Sequence, residues 1–394
     1  MNSNITTTSV LIIGAGPAGL GVGIALQHAG LNDVLVIDAR CIGAAFRDWP
    51  KEMNLLTPSF NSNAFGAIDL NAIDPVTSPA DFLHTQHPDG KGYADYLEAV
   101  AGHYKLNVQE ETKLISIKKA QGKFHAETSQ GTIVAEHIVW AAGQFFYPRE
   151  RDFSGAEHAL HNSRVGSWAE LEGDEFTIIG GYESGVDAAL NLVALGKKVT
   201  LLSRGEPWSS DHPDPSRSLS PRTLDRLRAI LLDGGRNLLT LIKDTNICRI
   251  EKNDGWWILY DQDDIPMVSH TQPILANGFT GSLQVMDHLF AYENGLPVFS
   301  EDADESTITP GLFYAGPQLV HRNALFCFIY KFRARFGVIA AEIAQREGLP
   351  DVEERLLPYL KAGFMIDDLD CCTNCECAIT EDQATAPEPE AFVQ

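Results

Sequence analysis

The chain has 394 residues, 44% of them hydrophobic, and a formal net charge of -23. That length predicts two or three domains, and the apolar content suits a protein with a large buried core. The acidity works against nucleic acid and anionic membrane surfaces as partners, since both would meet a repulsive field.

The one long apolar run, Val10–Leu26, is broken by glycines and a proline and lacks a basic leader. Neither a signal peptide nor a membrane span is expected from it. Cys41, Cys248 and Cys327 stand alone, which suits a reducing cytoplasm and predicts a cytoplasmic protein.

In chain order, residues 9–13 (SVLII) predict a buried strand running into GAGPAG at 14–19 and a helix ending at Gly30. A second strand, Val34–Ile37, ends on Asp38. Residues 41–90 show no clean periodicity and predict irregular structure. A helix is expected from about Tyr93 to Tyr104, then strands at Leu114–Lys118, Lys123–Thr128 and Thr132–Ala135. IVWAAG at 138–143 reads as a further buried strand.

Residues 175–204 repeat the opening order of strand, glycine turn, helix and strand. Ser220 and Pro221 then start a helix that ends before Gly234. FYAG at 313–316 ends another strand, and a long amphipathic helix is expected over about Asn323–Arg346, with Cys327 as a buried, inert thiol. Beyond Lys361 there are eight acidic residues and no lysine or arginine, which argues for a mobile tail.

The first glycine turn fits a dinucleotide cradle. Gly14 makes the turn, Gly16 lets the backbone approach a pyrophosphate, and Gly19 lets helix and strand pack, while the helix N-terminus supplies partial positive charge. Asp38 stands where a carboxylate accepts bonds from ribose hydroxyls. In the second copy Gly180, Gly181 and Gly185 are present, but Tyr182 takes the middle position, where it would hold back a pyrophosphate or have to swing aside. Ser184 can donate to a phosphate, and Ser203 with Arg204 replaces the acid, which favours NADPH over NADH.

Two cradles imply two nucleotides and electron transfer between them. FAD is expected at Gly14, Gly16, Gly19 and Asp38, with Gly143 and Gly316 closing beneath it. The helix beginning near Asn323 would point its dipole at the flavin pyrimidine edge. NADPH is expected at Gly180, Gly181, Ser184, Gly185, Ser203 and Arg204. His84, His87 and His161 are weaker candidates for acid–base groups.

These motifs together resemble the two-dinucleotide-domain FAD/NAD(P) oxidoreductases. Residues 178–205 and FYAGPQ at 313–318 are similar to bacillithiol-disulfide-reductase-like proteins. IGAAFRDWP at 42–50 resembles a flavin-containing monooxygenase stretch through Gly43, Phe46, Trp49 and Pro50, and adds Gly43, Phe46 and Trp49 to the FAD candidates. Phe153, Gly155 and His161 resemble the monooxygenase fingerprint, with five residues rather than three between glycine and histidine. Ala18 stands where the reductases carry a cysteine, and Pro317 where an acid usually follows the last glycine.

The resemblance implies an α/β fold of two Rossmann-like domains in three-layer ββα form. An NADPH domain (171–276) is inserted into a split FAD domain (1–170 and 277–360), and an acidic tail follows (361–394). It implies an NADPH-dependent flavoprotein reducing a small-molecule disulfide or other electron acceptor. Flavin-dependent N- or S-oxygenation and a metal-handling or redox-sensing flavoprotein are the alternatives. The assembly is left open between a homodimer, a homotetramer and other states.

DCCTNCECA at 370–378 carries the remaining four cysteines. Cys372 and Cys375 form a CxxC that suits a reversible disulfide carrying electrons outward, as catalytic residues. Cys371, Cys372, Cys375 and Cys377 could instead hold zinc or copper, since the nearby acids raise thiol pKa values and disfavour fast thiolate attack. A tail without a specific role is the third reading.

Overall fold

The computed structural model describes residues 5–369 apart from 62–65, 213, 233–234, 323 and 367. The predicted tail cysteines and Asn323 lie outside the described residues. No helix among those described is long and apolar enough to cross a membrane.

The opening strand β1 (Ile5–Ile13) starts earlier than the apolar run, and its last four residues are fully buried. Helix α1 (Pro17–Ala29) has proline at its first turn and closes on Gly30 at φ 102°. Strand β2 (Val34–Ile37) is buried at every position, as expected where helices cover both faces of a parallel sheet. The segment 41–90 is mostly irregular but contains two short helices, α2 (Ala44–Arg47) and α3 (Pro79–Leu83). Helix α4 (Gly90–His103) is capped by the Asp89 carboxylate, which accepts from Gly92 N.

Next come β3 (Val108–Gln109), β4 (Leu114–Ala120), β5 (Lys123–Thr128) and β6 (Gly131–Trp140). The two strands expected at 132–135 and 138–143 are therefore one, and its halves have different partners. Residues 131–135 pair antiparallel with β5, and Ile138–Trp140 pair parallel with a strand from far down the chain.

The second sheet collects β7 (Leu160–His161), β8 (Glu175–Ile179), β9 (Lys198–Leu202), β10 (Leu239–Ile242) and, beyond a meander, β14 (Ile274–Leu275), in the order β10-β9-β8-β14-β7. Helix α5 (Glu183–Ala194) follows β8. Helix α6 (Pro221–Leu232) starts at Ser220, whose Oγ accepts from Thr223 N. The meander is β11 (Ile247–Asn253), β12 (Trp256–Asp261) and β13 (Pro266–Ser269). Because β7 pairs with β14, residues 160–161 belong to the second sheet, earlier than the boundary at 170 expected from the sequence.

The chain then returns through the hairpin β15 (Ala291–Glu293) and β16 (Leu296–Val298) to β17 (Leu312–Tyr314), the parallel partner of β6. A small ribbon, β18 (Val320–His321) and β19 (Ala324–Leu325), precedes α7 (Ile329–Phe332), a 3-10 turn, α8 (Phe336–Arg346) and α9 (Val352–Lys361). The helix expected from Asn323 therefore begins six residues later. Val320 and His321 pair with Leu325 and Ala324 in the ribbon, and Phe328, extended at φ -101° and ψ 155°, is the N-cap of α7.

Helix α1 packs on α8 so closely that a Cβ on Gly21 would lie 2.0 Å from the Phe336 ring. Phe364 and Leu369 are buried in the same core, so the chain stays packed beyond the residue where the tail was expected to begin.

Asp304, His321 and Arg335 are almost completely buried together. The Asp304 carboxylate takes bonds from Arg335 Nε (3.0 Å) and Nη2 (3.0 Å) and lies 2.6 Å from His321 Nε2. Arg335 also donates to the carbonyls of Glu301 and Ile366. This network ties the β18 ribbon, the helix under the first sheet and the chain leading to Leu369 into one piece.

Candidate active site

The two glycine turns are copies at backbone level. Gly14 and Gly180 have φ of 111° and 108°, and a Cβ on either would strike a carbonyl, Ala141 O at 2.4 Å or Ala276 O at 2.3 Å. Gly19 and Gly185 repeat the match, with built Cβ atoms 1.9 and 1.8 Å from the carbonyl oxygens of Gly14 and Gly180. These third glycines serve helix–strand packing, with no room for a side chain.

The middle position separates the copies. Gly16 (φ -89°, ψ -173°) and Tyr182 (φ -91°, ψ -167°) share one conformation at the helix N-cap. A Cβ on Gly16 would meet no atom within 4 Å, so the first turn is open for close approach. The Tyr182 hydroxyl donates to Ser218 O at 2.9 Å, and the residue stays 39% exposed beside the turn. Gly181 is filled from the other side, since a Cβ there would lie 2.4 Å from Ser203 Oγ and 3.1 Å from Trp208.

A cavity of about 810 Å³ opens on the first turn, at the upper end of small-molecule sites. Gly14, Gly16, Asp38, Gly43, Phe46, Trp49 and Gly143, the candidates named for FAD, border it, and so does Ser184 from the second copy. Gly316 lies between the bordering Ala315 and Pro317. Gly180, Gly181, Ser203 and Arg204 sit at the C-terminal edge of the second sheet and do not border this cavity.

Asp38 accepts from Ala15 N (2.9 Å) and Arg40 N (2.8 Å), and burial pushes its carboxyl above the usual range. Gly43 sits at φ 68°, where its N–H donates to Ala15 O at 3.0 Å, while a Cβ would lie 2.8 Å from that of Ala94. Phe46 packs on Trp49 and Tyr93 with ring centroids 4.8 Å apart in each case.

Cys327 corrects the expectation of an inert core thiol. It lies before α7, is exposed, borders the cavity and reaches Ser216 Oγ at 3.2 Å. The ribbon holds it off the helix, away from the apolar stripe. Lys331 lies close by, donating to Asp214 (2.6 Å) and Ser216 (2.6 Å) of the loop before α6. Phe328 and Ile329 also border the cavity, and no side chain caps this helix start, so its free N–H groups lie at the wall.

The histidines are structural. His161 is buried and its Nε2 lies 3.0 Å from Gly278 O; His87 Nδ1 lies 2.9 Å from Leu55 O. Among the described residues no cluster of three or more candidate metal ligands occurs.

Sequence reading missed Glu183, Asp187, Asn162, Tyr147 and Phe279 on the cavity wall. The i, i+4 spacing of Glu183 and Asp187 on a helix starting at a glycine turn was a usable signal. Burial raises both carboxyls; bonds from Thr223 and Ser220 oppose this at Glu183, and Arg226 opposes it at Asp187. Arg149, also unnoticed, is pulled down by burial, an effect offset by Asp152 and increased by the nearby charge of Arg204.

A family model described as pyridine nucleotide-disulphide oxidoreductase matches residues 11–316. The bacilliredoxin reductase Bdr of Bacillus subtilis is 25% identical over 344 residues, covering 86% of this chain and 98% of that one. The solved bacillithiol disulfide reductase of Bacillus cereus is 25% identical with a TM-score of 0.68, covering 86% of this chain and 100% of that one. A flavin-containing monooxygenase from Stenotrophomonas maltophilia, 17% identical, superimposes at 0.67 over 86% of this chain and 99% of its own, a likeness of fold.

The α/β architecture of two dinucleotide-binding folds is thus shared with known flavoproteins. FAD and NADPH are the cofactors, and the protein is an oxidoreductase. The chain belongs to the pyridine nucleotide-disulphide oxidoreductase family.

Proposed function

We propose that this protein takes a hydride from NADPH and reduces a disulfide-type acceptor. One observation carries the reading: the open first turn and the N-terminus of α5, through Glu183 and Ser184, border the same cavity. The balance is one NADPH, one proton and one disulfide giving NADP+ and two thiols. A bound flavin supplies the two-electron relay between them.

The chain's own residues take the remaining parts. Gly14 and Gly16 admit a pyrophosphate to the start of α1, and Asp38 takes the adjoining ribose hydroxyls. The start of α7, which borders the cavity at Phe328 and Ile329, would turn its N-terminal amides to negative charge on a reduced flavin. Phe46, Trp49, Phe328 and Phe332 exclude water from the cavity. Ser203 and Arg204 select NADPH. On this reading the NADPH part starts with β7 near residue 160 and runs to about 276, and the FAD part is about 1–159 and 277–360.

Cys372 and Cys375 extend the same path outward. Leu369 is buried, and Ile366 N donates to Ala334 O at 2.8 Å, beside the helical stretch that starts at the cavity wall. Cys375 is six residues beyond Leu369, a reach of roughly 20 Å for extended chain. On this reading the pair would pass electrons from the cavity to an outside acceptor.

Anaerobic reduction of the yellow holoprotein by NADPH, followed by a screen of low-molecular-weight disulfides, tests the reading. A chain ending at Leu369 keeps the buried Phe364 and Leu369 and loses the tail cysteines. The expected result is intact flavin reduction with lost disulfide turnover. Unchanged turnover in the shortened chain removes the cysteine arm, and failure of NADPH to bleach the flavin removes the reductase.

A further inference from the structure

Asn162 is a buried side chain on the cavity wall whose Oδ1 has no hydrogen-bond partner among the described residues. Its backbone surroundings are fixed. It follows β7 directly in a 3-10 turn, where His161 Nδ1 lies 2.9 Å from Ser163 Oγ and Val165 N donates to Asn162 O at 3.2 Å. Buried polar atoms in folded proteins are nearly always paired, so an unpaired carboxamide oxygen, closed off from solvent on a residue that borders the cavity, points to a partner supplied by a ligand.

Strand register says which end of a ligand. Ile179 of β8 pairs with Leu202 of β9 on one side and Leu275 of β14 on the other, and Leu275 pairs with His161 of β7. The residues just past these pairs therefore form one row along the C-terminal edge of the second sheet: Ser203, Gly180, Ala276 and Asn162. In open α/β sheets a dinucleotide lies along this edge at the point where strand order reverses. Ser203 and Arg204 occupy the adenosine end and Gly180 the pyrophosphate. Asn162 stands on the opposite flank, three strand spacings or roughly 14 Å from Ser203.

We propose that Asn162 is a positioning residue that reads the carboxamide of the nicotinamide ring. The inference rests on the NADPH reading above. A side-chain amide offers an acceptor and two donors, and a primary carboxamide returns both in one paired contact. That contact fixes the rotation of the ring, and so which of its faces meets the flavin.

The test is calorimetric binding to the oxidised holoprotein, with no turnover. The probes are NADP+, its 3-acetylpyridine analogue, in which a methyl ketone replaces the carboxamide, and adenosine 2′,5′-bisphosphate, which lacks the ring. Wild type should prefer NADP+ over the analogue by roughly tenfold. Asn162→Ala should lose that preference while holding the bisphosphate as wild type does, and Asn162→Ser, smaller but polar, should keep part of it.

Should Asn162→Ala lose its flavin or fail to fold, Asn162→Ser decides alone, and an undiminished preference there overturns the inference. Undiminished preference in Asn162→Ala overturns it equally. If neither NADP+ nor the bisphosphate binds wild type, the NADPH reading itself falls.

Discussion

Gly16 and Gly19 stand three residues apart in one turn, and the structure gives them separable jobs. At Gly16 the backbone is extended and a Cβ meets nothing within 4 Å. Gly16→Ala should therefore leave the flavin-free protein within about 1 kcal/mol of wild type, a smaller unfolded-state entropy offsetting a poorer helix cap. A bound nucleotide is affected differently. A methyl group there holds the phosphate off the helix N-terminus and removes a charge-assisted hydrogen bond of about 1.5–3 kcal/mol, so the FAD dissociation constant should rise roughly 10- to 150-fold.

Gly19→Ala is the converse. Its Cβ would lie 1.9 Å from Gly14 O and 3.2 Å from Ile12 Cγ2, so α1 must lift by more than an ångström from β1. The cost is about 3 kcal/mol or more, and melting of the flavin-free protein should fall by roughly 5 °C or more. Flavin-fluorescence titration gives the affinity and thermal melts of stripped protein give the stability. If Gly16→Ala melts as low as Gly19→Ala, or binds FAD as wild type does, the division of labour drawn from these contacts is wrong.

At the equivalent position of the second turn, Tyr182→Gly should tighten NADP+ binding by calorimetry, since it opens the space that Gly16 leaves free in the first. Arg204→Ala should weaken NADPH far more than NADH in anaerobic flavin reduction; equal loss for both would remove its selecting role. Asp38 carries opposite signs for two properties. Its raised folded-state pKa means that its contribution to apo stability is fully present below about 3.9 and is lost as pH rises through the folded value. Retention of FAD needs the carboxylate, so flavin release on acidification should begin above the usual carboxylate range, and Asp38→Asn should flatten that pH dependence. Arg335→Met leaves Asp304 buried beside His321 with its main countercharge gone, a cost of about 3–5 kcal/mol, read as a large drop in the melting temperature.

The parts legible in the sequence were those set by backbone sterics. A glycine with positive φ, a proline at a helix start and a β-branched run leave local marks, so Gly14, Pro17 and Val34–Ile37 were found at the right places. The late start of α7 was hidden because Val320 and His321 pair with Leu325 and Ala324 in a two-residue ribbon, which leaves little periodicity to read. Strand β6 was split because its two halves serve different partners, and the sequence pattern changes where β5 gives way to β17. Asn162, Glu183 and Phe279 come together through the second sheet and the crossing segments between the sheets, and only the register reveals that meeting. Trp49 and Phe46 were found through a family likeness, since no helical or strand period marks them.

The duplication also bears on how the two nucleotides are used. Equal backbone at Gly16 and Tyr182 means that the sites differ through side chains, Tyr182 at the turn and Ser203 with Arg204 where the first copy has Asp38. On the proposed reading, a nucleotide at the first turn meets bare backbone and a buried carboxylate, with aromatic walls around it, and such contacts hold a resident cofactor. At the second turn the phenol of Tyr182, tied to Ser218, keeps the phosphate at a distance, and Arg204 grips from an exposed position. Weaker hold is what a nucleotide needs if it arrives reduced and leaves oxidised in every cycle. The loop that anchors Tyr182 also meets α7 through Asp214 and Ser216 on Lys331, so the segment that sets the second nucleotide's distance rests on the helix that starts at the cavity wall. Breaking that ion pair with Lys331→Met should change the rate of flavin reduction by NADPH while FAD affinity stays put, and loss of flavin instead would place Lys331 in the first site.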